Sequence, residues 1–377
     1  MKKAATLRHV VAMMLDSFRD RDLRLGDYRN HVWESHKFLH RIDARRGQAL
    51  PSTYARAPRA KPRGIVVAMP VRMGMTTFAN AIESFLYDYN TTDGEHERSN
   101  IEGRAPITIN VGTPGNFAEH VHARCLRIRW PQDGTRSGLV ESFLSAFDNL
   151  FHSKYADHSR NAIFHGKYSI RSMCALAAVS HLGVLIVEQV VYASVKRPVA
   201  NETWEALALF TTLTGIPVLI LTTPGAAAYS LSRLPGASGE LAPHGVIEIQ
   251  PIKSATDPNW ISICSIQFDA TMGQLGLTNM PEWFPKLAFE LTLGYPAVLA
   301  KALTSIALYE VSLDTFAFGP EIFTKYANKA IALDLVHLRA VNFIRAGGKA
   351  TTSNIWEHSD WLTFEDLNSV YAIPNLQ

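Results

Sequence analysis

Val66-Val67-Ala68-Met69-Pro70-Val71-Arg72-Met73-Gly74-Met75-Thr76-Thr77, residues 66–77 of a 377-residue chain, has the outline of a phosphate-binding loop. An apolar run over 65–68 reads as a strand. A short loop follows, then Gly74, then two threonines that open a helix. A working loop of this kind needs G-x-x-x-x-G-K-[ST]: backbone N–H groups cradle the phosphates, the lysine reaches them, and the hydroxyl holds magnesium. Laid on that pattern, Met69 stands at the first glycine, Gly74 at the second and Met75 at the lysine, while Thr76 keeps the hydroxyl and Thr77 follows. The stretch points both to a fold and to a defect in the chemistry that the fold usually performs.

Outward from this loop the chain alternates. Strands are expected over 64–68, 107–111, 126–130, 183–187, 218–222 and 245–249, and helices over 76–89, 138–151, 170–181 and 202–214. In 126–130, Leu126, Ile128 and Trp130 share one face while Arg127 and Arg129 share the other. The run 183–187 is continuously apolar, as a strand buried on both faces must be. Such alternation implies an α/β fold, a parallel sheet with helices on both faces. After Pro251 the strand patterns stop, and 255–272, 282–293, 296–311 and 319–345 read as helices. The expected organisation is an N-terminal helical extension and linker over 1–60, an α/β core over 61–252, a smaller α-helical lid over 253–345 and a tail over 346–377. The tail holds Trp356-Glu357-His358-Ser359-Asp360-Trp361-Leu362-Thr363-Phe364-Glu365-Asp366-Leu367, acidic and aromatic in a form suited either to docking on a partner or to packing back on its own domain.

Composition sets bounds. The chain is 47% hydrophobic with a formal net charge of +3, enough to bury a full core but too little charge to argue for nucleic acid by itself. Cys125, Cys174 and Cys264 are far apart and lack CxxC spacing, which excludes a disulfide framework or zinc site and fits a reducing cytoplasm. No apolar run reaches the roughly 18–20 residues of a membrane span. The N-terminal apolar residues are interrupted by Arg8-His9 and followed by Asp16, Arg19 and Asp20, so an amphipathic helix is expected there rather than a signal peptide. Arg56, Arg59, Lys61 and Arg63 form a basic approach to the first strand, either a solvated linker or a phosphate contact.

A P-loop ATPase also needs a second apolar strand ending in an acidic pair, one residue for magnesium and one to activate water. Here Val184-Leu185-Ile186-Val187 is followed by Glu188 in the place of the first acid and Gln189 in the place of the second. Thr222 and Thr223, at the end of the next buried strand, fill the place of a polar γ-phosphate sensor. Arg233 is the candidate arginine donated across a subunit interface.

Four segments carry a resemblance. Leu126 to Leu139 (LRIRWPQDGTRSGL), running into Val140 to Asp148 (VESFLSAFD), resembles the strand, turn and helix of the TnsC/TniB family of AAA+ transposition regulators. His181 to Gln189 (HLGVLIVEQ), Thr214 to Ala226 (TGIPVLILTTPGA) and Gly294 to Leu303 (GYPAVLAKAL) are similar to three further segments of that family, in the expected order. The resemblance covers roughly residues 30–340. It implies an AAA+ P-loop fold that assembles with ATP into rings or filaments on DNA. It also implies partners, a TniQ-type target selector and a TnsA/TnsB-type transposase, with hydrolysis resetting the assembly.

The departures from the family fall on the catalytic positions. Losing the lysine at Met75 removes a charged hydrogen bond worth about 1.5–3 kcal/mol, roughly a 10- to 150-fold loss of nucleotide affinity. Met69 and Pro70 remove a flexible glycine and an N–H donor. Gln189 cannot act as a base, at a cost of about 10²–10⁴ in rate. Arg72 is the one candidate surrogate cation, and Thr76 with Glu188 the remaining magnesium ligands. ATP and magnesium are therefore expected only where nucleotide binding survives these losses. The leading expectation is a TnsC-like regulator that oligomerises on duplex DNA and links selector to transposase, with hydrolysis lost. Arg127, Arg129, Arg136, Lys196 and Arg197 are the candidate backbone contacts. The alternatives are an active switch that uses Arg72 and Glu188 as substitutes, and a pseudo-ATPase adaptor that binds only proteins.

Overall fold

The apolar runs become strands because both of their faces are covered. Ile65 and Val67 join Val184, Ile186, Leu219 and Leu221 in one core. Val66 joins Leu185, Val187, Val218 and Ile220 in the other, the period of two that a sheet imposes. The computed structural model describes residues 64–88, 106–113, 116–157, 170–180, 182–243, 245–277, 279–310, 318–349 and 351–370. The readings of 1–60, including the amphipathic helix and the basic approach up to Arg63, lie outside the described residues.

The strands are β1 (Gly64–Ala68), β2 (Ile107–Thr113), β3 (Asn116–His122), β4 (Cys125–Arg129), β5 (Val184–Val190), β6 (Val218–Thr222) and β7 (Val246–Glu248). Five of them form a parallel sheet in the order β4-β5-β6-β1-β7. The chain crosses from one side of β1 to the other between β6 and β7, so the topological switch point lies at β1, where open α/β sheets bind ligands. The expected strand at 107–111 does not join this sheet. It pairs antiparallel with β3, whose strand character the sequence pattern missed.

Helices α1 (Met75–Asp88), α2 (Arg136–Phe151), α3 (Ile170–Val179), α4 (Tyr192–Val195), α5 (Ala200–Thr214), α6 (Pro224–Leu231) and α7 (Pro235–Leu241) belong to the α/β part. Residues of α2, α3, α5, α6 and α7 cover one face, and α1 lies on the other. Then come α8 (Pro258–Thr271), α9 (Phe284–Thr292), α10 (Pro296–Glu310), α11 (Pro320–Ala330) and α12 (Ala332–Arg345). The expected single helix over 319–345 is thus two, with Ile331 fully buried between them. These helices share a continuous core with β1 and α1: Trp260, Phe268, Phe284, Tyr295, Leu299 and Phe323 are all fully buried.

The tail packs on its own chain, the second of the two readings that its sequence leaves open. Residues 351–370 fold as α13 (Thr352–His358), a 3-10 turn (Ser359–Trp361) and α14 (Phe364–Val370). Trp361, Leu362 and Leu367 are buried in the lid-side core rather than presented to a partner. An acidic–aromatic segment satisfies its own chain's apolar surface by the same contacts it would make on another's.

The Pro131-Gln132-Asp133-Gly134-Thr135 turn shows why the 126–148 segment reads as it does. Thr135 caps α2 by accepting from the Gly138 N–H at 3.0 Å, and Asp133 accepts from the Thr135 N–H at 3.0 Å. Gly134 has φ 70°, and a Cβ there would lie 2.4 Å from the Ser194 carbonyl oxygen. Gly134→Ala combines backbone strain with overpacking. A loss of about 2–3 kcal/mol in denaturant unfolding is expected, and a variant as stable as the parent contradicts this packing.

Candidate functional site

The loop between β1 and α1 turns the chain from strand to helix, but its side chains are packed rather than open. Met69 is fully buried and Met73 is 2% exposed, and Val71 and Met75 lie against the same lid-side core. The residues that stand at the first glycine and at the lysine of a phosphate loop are thus apolar anchors between sheet and lid. Each fully buried methionine contributes about 1.5–3 kcal/mol. The loop's polar groups are also engaged. The Met69 N–H donates to the Thr222 carbonyl at 2.9 Å, and the Val71 N–H to the Asp360 carbonyl at 2.8 Å. The Arg72 carbonyl accepts from the Ala297 N–H at 3.0 Å. Gly74 has φ 86°, where glycine carries no steric cost. Thr76 and Thr77 are exposed at the start of α1.

Arg72 turns to the lid. Its Nη2 lies 3.2 Å from Asp334 Oδ1 on α12, whose other oxygen accepts from Lys301 Nζ at 2.8 Å. Asp334 is 3% exposed, so this two-cation pairing neutralises a buried acid at the loop–lid seam. Arg72 adopts φ 65°, a left-handed conformation that costs a side-chain-bearing residue roughly 1–2 kcal/mol.

Glu188 is likewise taken. It is 3% exposed and its Oε2 lies 2.6 Å from Arg127 Nη2, with Arg129 Nε farther off at 3.8 Å. Arg127 also reaches Glu83 at 3.4 Å and Asn80, both on α1. Arg127 therefore lies beneath α1 and not on an open nucleic-acid-facing surface, which corrects its place among the DNA candidates. The alternation of side chains was read correctly, but the face that carries Arg127 is covered. Gln189 follows at φ 62°, exposed, within a bulge that shifts the β5–β6 register between Val187 and Val190.

Thr222 and Thr223 are both fully buried. The Thr222 hydroxyl donates to the Val190 carbonyl at 3.1 Å. Thr223 caps α6, accepting from the Ala226 N–H at 3.2 Å, and donates to Asp360 Oδ1. The Tyr192 N–H donates to the same Asp360 oxygen at 2.8 Å. The carboxyl ends of β1, β5 and β6 thus all meet Asp360, a residue the sequence singled out only as part of an acidic stretch. Burial pushes the Asp360 carboxyl pKa up, against the lowering effect of these two donors.

Around Asp360 the tail is anchored on every side. The Tyr295 hydroxyl donates to the Trp361 carbonyl, the Phe364 N–H donates to Glu248 Oε1 at 2.7 Å, and Arg345 pairs with Asp366 at 3.1 Å. Trp356 stacks on Tyr192 with ring centroids 5.1 Å apart. Tyr229 meets both edge-on, and Arg233 lies over its ring at 3.9 Å. The Tyr229 hydroxyl donates to the Lys196 carbonyl at 3.1 Å, so Arg233 and Lys196, far apart in sequence, are neighbours. Arg129, Arg136, Lys196, Arg197 and Arg233 are exposed.

The arrangement offers magnesium-bound ATP few of the groups that a phosphate loop supplies. The lysine position packs on the lid-side core, Glu188 is ion-paired to Arg127, and the Val71 amide and both sensor threonines are engaged by Asp360 or by backbone, while Thr76 is exposed. Among the described residues, no group of three or more His, Cys, Asp or Glu side chains converges as a metal site, and no single helix is long and apolar enough to cross a membrane.

No protein-family model and no curated protein matches the chain. Among solved structures it is similar to the Walker-type ATPase of Pyrococcus abyssi, at 12% identity and a TM-score of 0.45, covering 89% of this chain and 88% of that one. It is similar to the ORC2 protein of Aeropyrum pernix with ADPNP and ADP, at 12% identity and a TM-score of 0.42, covering 92% of this chain and 80% of that one. The ADP form of ORC2 aligns at 10% identity and a TM-score of 0.43, over 87% and 77% of the two chains. At these scores the likenesses add nothing to the P-loop-like α/β class, which the strand order and the strand–loop–helix at β1 already establish.

Arg127→Met leaves Glu188 with only the distant Arg129. A loss of about 3 kcal/mol is expected in urea unfolding, much of it regained by adding Glu188→Leu. Unchanged stability with weakened DNA binding would return Arg127 to the surface set.

His337 of α12 and His358 of α13 face one another with Nδ1 atoms 2.9 Å apart, and His337 stacks on Trp361. Burial and then the neighbouring His358 hold the His337 pKa below its ordinary 6.5, with nearby Asp334 opposing. The folded chain therefore takes up this proton later than the unfolded chain, so stability is retained above pH 6.5 and lost as pH falls below it. Thermal unfolding midpoints should decline on that side, and His337→Gln should flatten the decline. An identical pH profile in the variant rules out this origin.

Proposed function

We propose that the chain is a nucleotide-independent member of the TnsC/TniB kind of AAA+ regulator, a scaffold that oligomerises on duplex DNA and connects a TniQ-type selector to a TnsA/TnsB-type transposase. The observation that carries the nucleotide-independent part is the filled phosphate loop: Met69, Met73 and Met75 packed against the lid-side core, and the Val71 amide held by Asp360. The TnsC/TniB part rests on the four motif segments. The DNA part rests on the exposed cations Arg129, Arg136, Lys196, Arg197 and Arg233. Contacts of this type go to the phosphate backbone and carry little sequence preference.

An active switch needs Arg72 at the phosphates, and the ion pair with Asp334 holds it to the lid instead. The protein-only adaptor is the second reading. It is favoured by a stripe on α12 in which Leu333, Val336 and Phe343 are 84%, 61% and 53% exposed.

Purified protein mixed with duplex DNA of unrelated sequences, with and without Mg–ATP, tests the proposal by mobility shift and electron microscopy. Assemblies of similar extent in both conditions are expected, with ATP turnover at background. Each phosphate neutralised should contribute a slope of about −0.9 in log affinity against log salt. Assembly only with ATP, or binding indifferent to salt, contradicts the scaffold. No DNA binding at low salt together with a stable protein complex selects the adaptor.

A further inference from the structure

Two donors from different strand ends converge on a single carboxylate oxygen. The Tyr192 N–H follows β5 and the Thr223 hydroxyl follows β6, and both reach Asp360 Oδ1. A third donor, the Val71 N–H of the loop after β1, takes the carbonyl of the same residue at 2.8 Å. The pocket is shaped for this segment as well as polarised for it. A Cβ on Gly225 would lie 2.5 Å from the Ser359 side chain, so α6 and the 3-10 turn approach as closely as glycine allows. On the lid side the Tyr295 hydroxyl and Arg345 hold the residues that follow.

We propose that the crevice at the carboxyl ends of β1, β5 and β6 is an oxyanion receptor whose resident ligand is the chain's own Asp360 carboxylate. The carboxylate sits beyond the ends of β5 and β6, next to the loop after β1 whose Val71 N–H takes the carbonyl of the same residue, and it locks the tail across sheet and lid without nucleotide. This deepens the scaffold reading and rests on it only in taking the fold to be of P-loop type. The chemistry is that of a single oxygen anion shared by carboxylates and phosphates, here supplied in cis. Holding a partly buried carboxylate is costly, as the direction of its pKa shift indicates, and the two donors on its oxygen offset part of that cost.

Thermal unfolding of the full chain tests the receptor. The wild-type midpoint should not move with Mg–ATP. Asp360→Ala should lower it by about 3–6 °C. Part of the loss should return in sodium formate but not in sodium chloride of equal ionic strength, because formate supplies the missing carboxylate. Asp360→Asn keeps the acceptor and the shape but not the charge, so its midpoint should fall between those of the parent and Asp360→Ala and ignore formate; a midpoint equal to the parent's would show that a neutral acceptor suffices and would overturn the oxyanion receptor. A wild-type chain stabilised by Mg–ATP, an Asp360→Ala chain as stable as the parent, or a loss that formate and chloride repair equally would each overturn the proposal. If Asp360→Ala gives no folded chain, the wild-type and Asn arms decide. DNA mobility shifts on the same samples separate the two ideas. Loss of DNA assembly with the formate response intact refutes the scaffold and leaves the receptor, and the reverse outcome refutes the receptor alone.

Discussion

Backbone and hydroxyl donors at the ends of buried parallel strands must find acceptors, and in this chain they find them in Asp360. The requirement is strict because an unpaired buried polar group costs as much as the hydrogen bond it lacks. Open α/β sheets commonly meet it with a ligand at the switch point. Here residues 351–370 reach back over the sheet, and Asp360 engages the ends of β1, β5 and β6 at once. The tail's remaining anchors, on Glu248, Tyr295 and Arg345, then fix the lid relative to the sheet. Sheet, lid and tail share one continuous core as a result.

The methionines of the loop follow from the same arrangement. A phosphate loop exposes its amides and extends a lysine toward a ligand. This loop is pressed between β1 and the lid, where a fully buried Met69 and a 2% exposed Met73 stabilise by packing. Arg72 serves the seam too, since with Lys301 it neutralises the buried Asp334. A ligand shifts a conformational equilibrium only by its differential affinity for the two states. In the proposed reading, with methionine in the lysine's place and these strand-end donors satisfied internally, nucleotide has little with which to move the lid.

Much of this was legible in the sequence. The runs at 183–187 and 218–222 announced themselves as strands because only a doubly covered strand is apolar without interruption. The Pro131–Thr135 turn carried its glycine and its cap in plain view. Met75 and Gln189 stand out against a pattern whose chemistry is understood, and they lie on the lid-side core and in the β5–β6 bulge respectively. What escaped had local physical reasons. The 116–122 strand is largely polar and has no apolar run to mark it. Arg127 alternates with apolar residues as a solvent-facing residue would, yet α1 lies over its face and Glu188 waits beside it. The tail's aromatic and acidic residues fit a partner's surface and their own chain's equally well, and only the fold decides between them. Asp360 was one acid among several, and nothing in its neighbours told that three strands would end on it.

The central claim is that the chain seals its own ligand crevice. Amide hydrogen exchange at Val71 and Tyr192, read in the full chain with and without Mg–ATP, tests it most directly. Both amides should be strongly protected in the absence of nucleotide and should exchange at the same rates when it is added. Rapid exchange that slows on addition of Mg–ATP would show an open crevice awaiting a phosphate and would contradict the account.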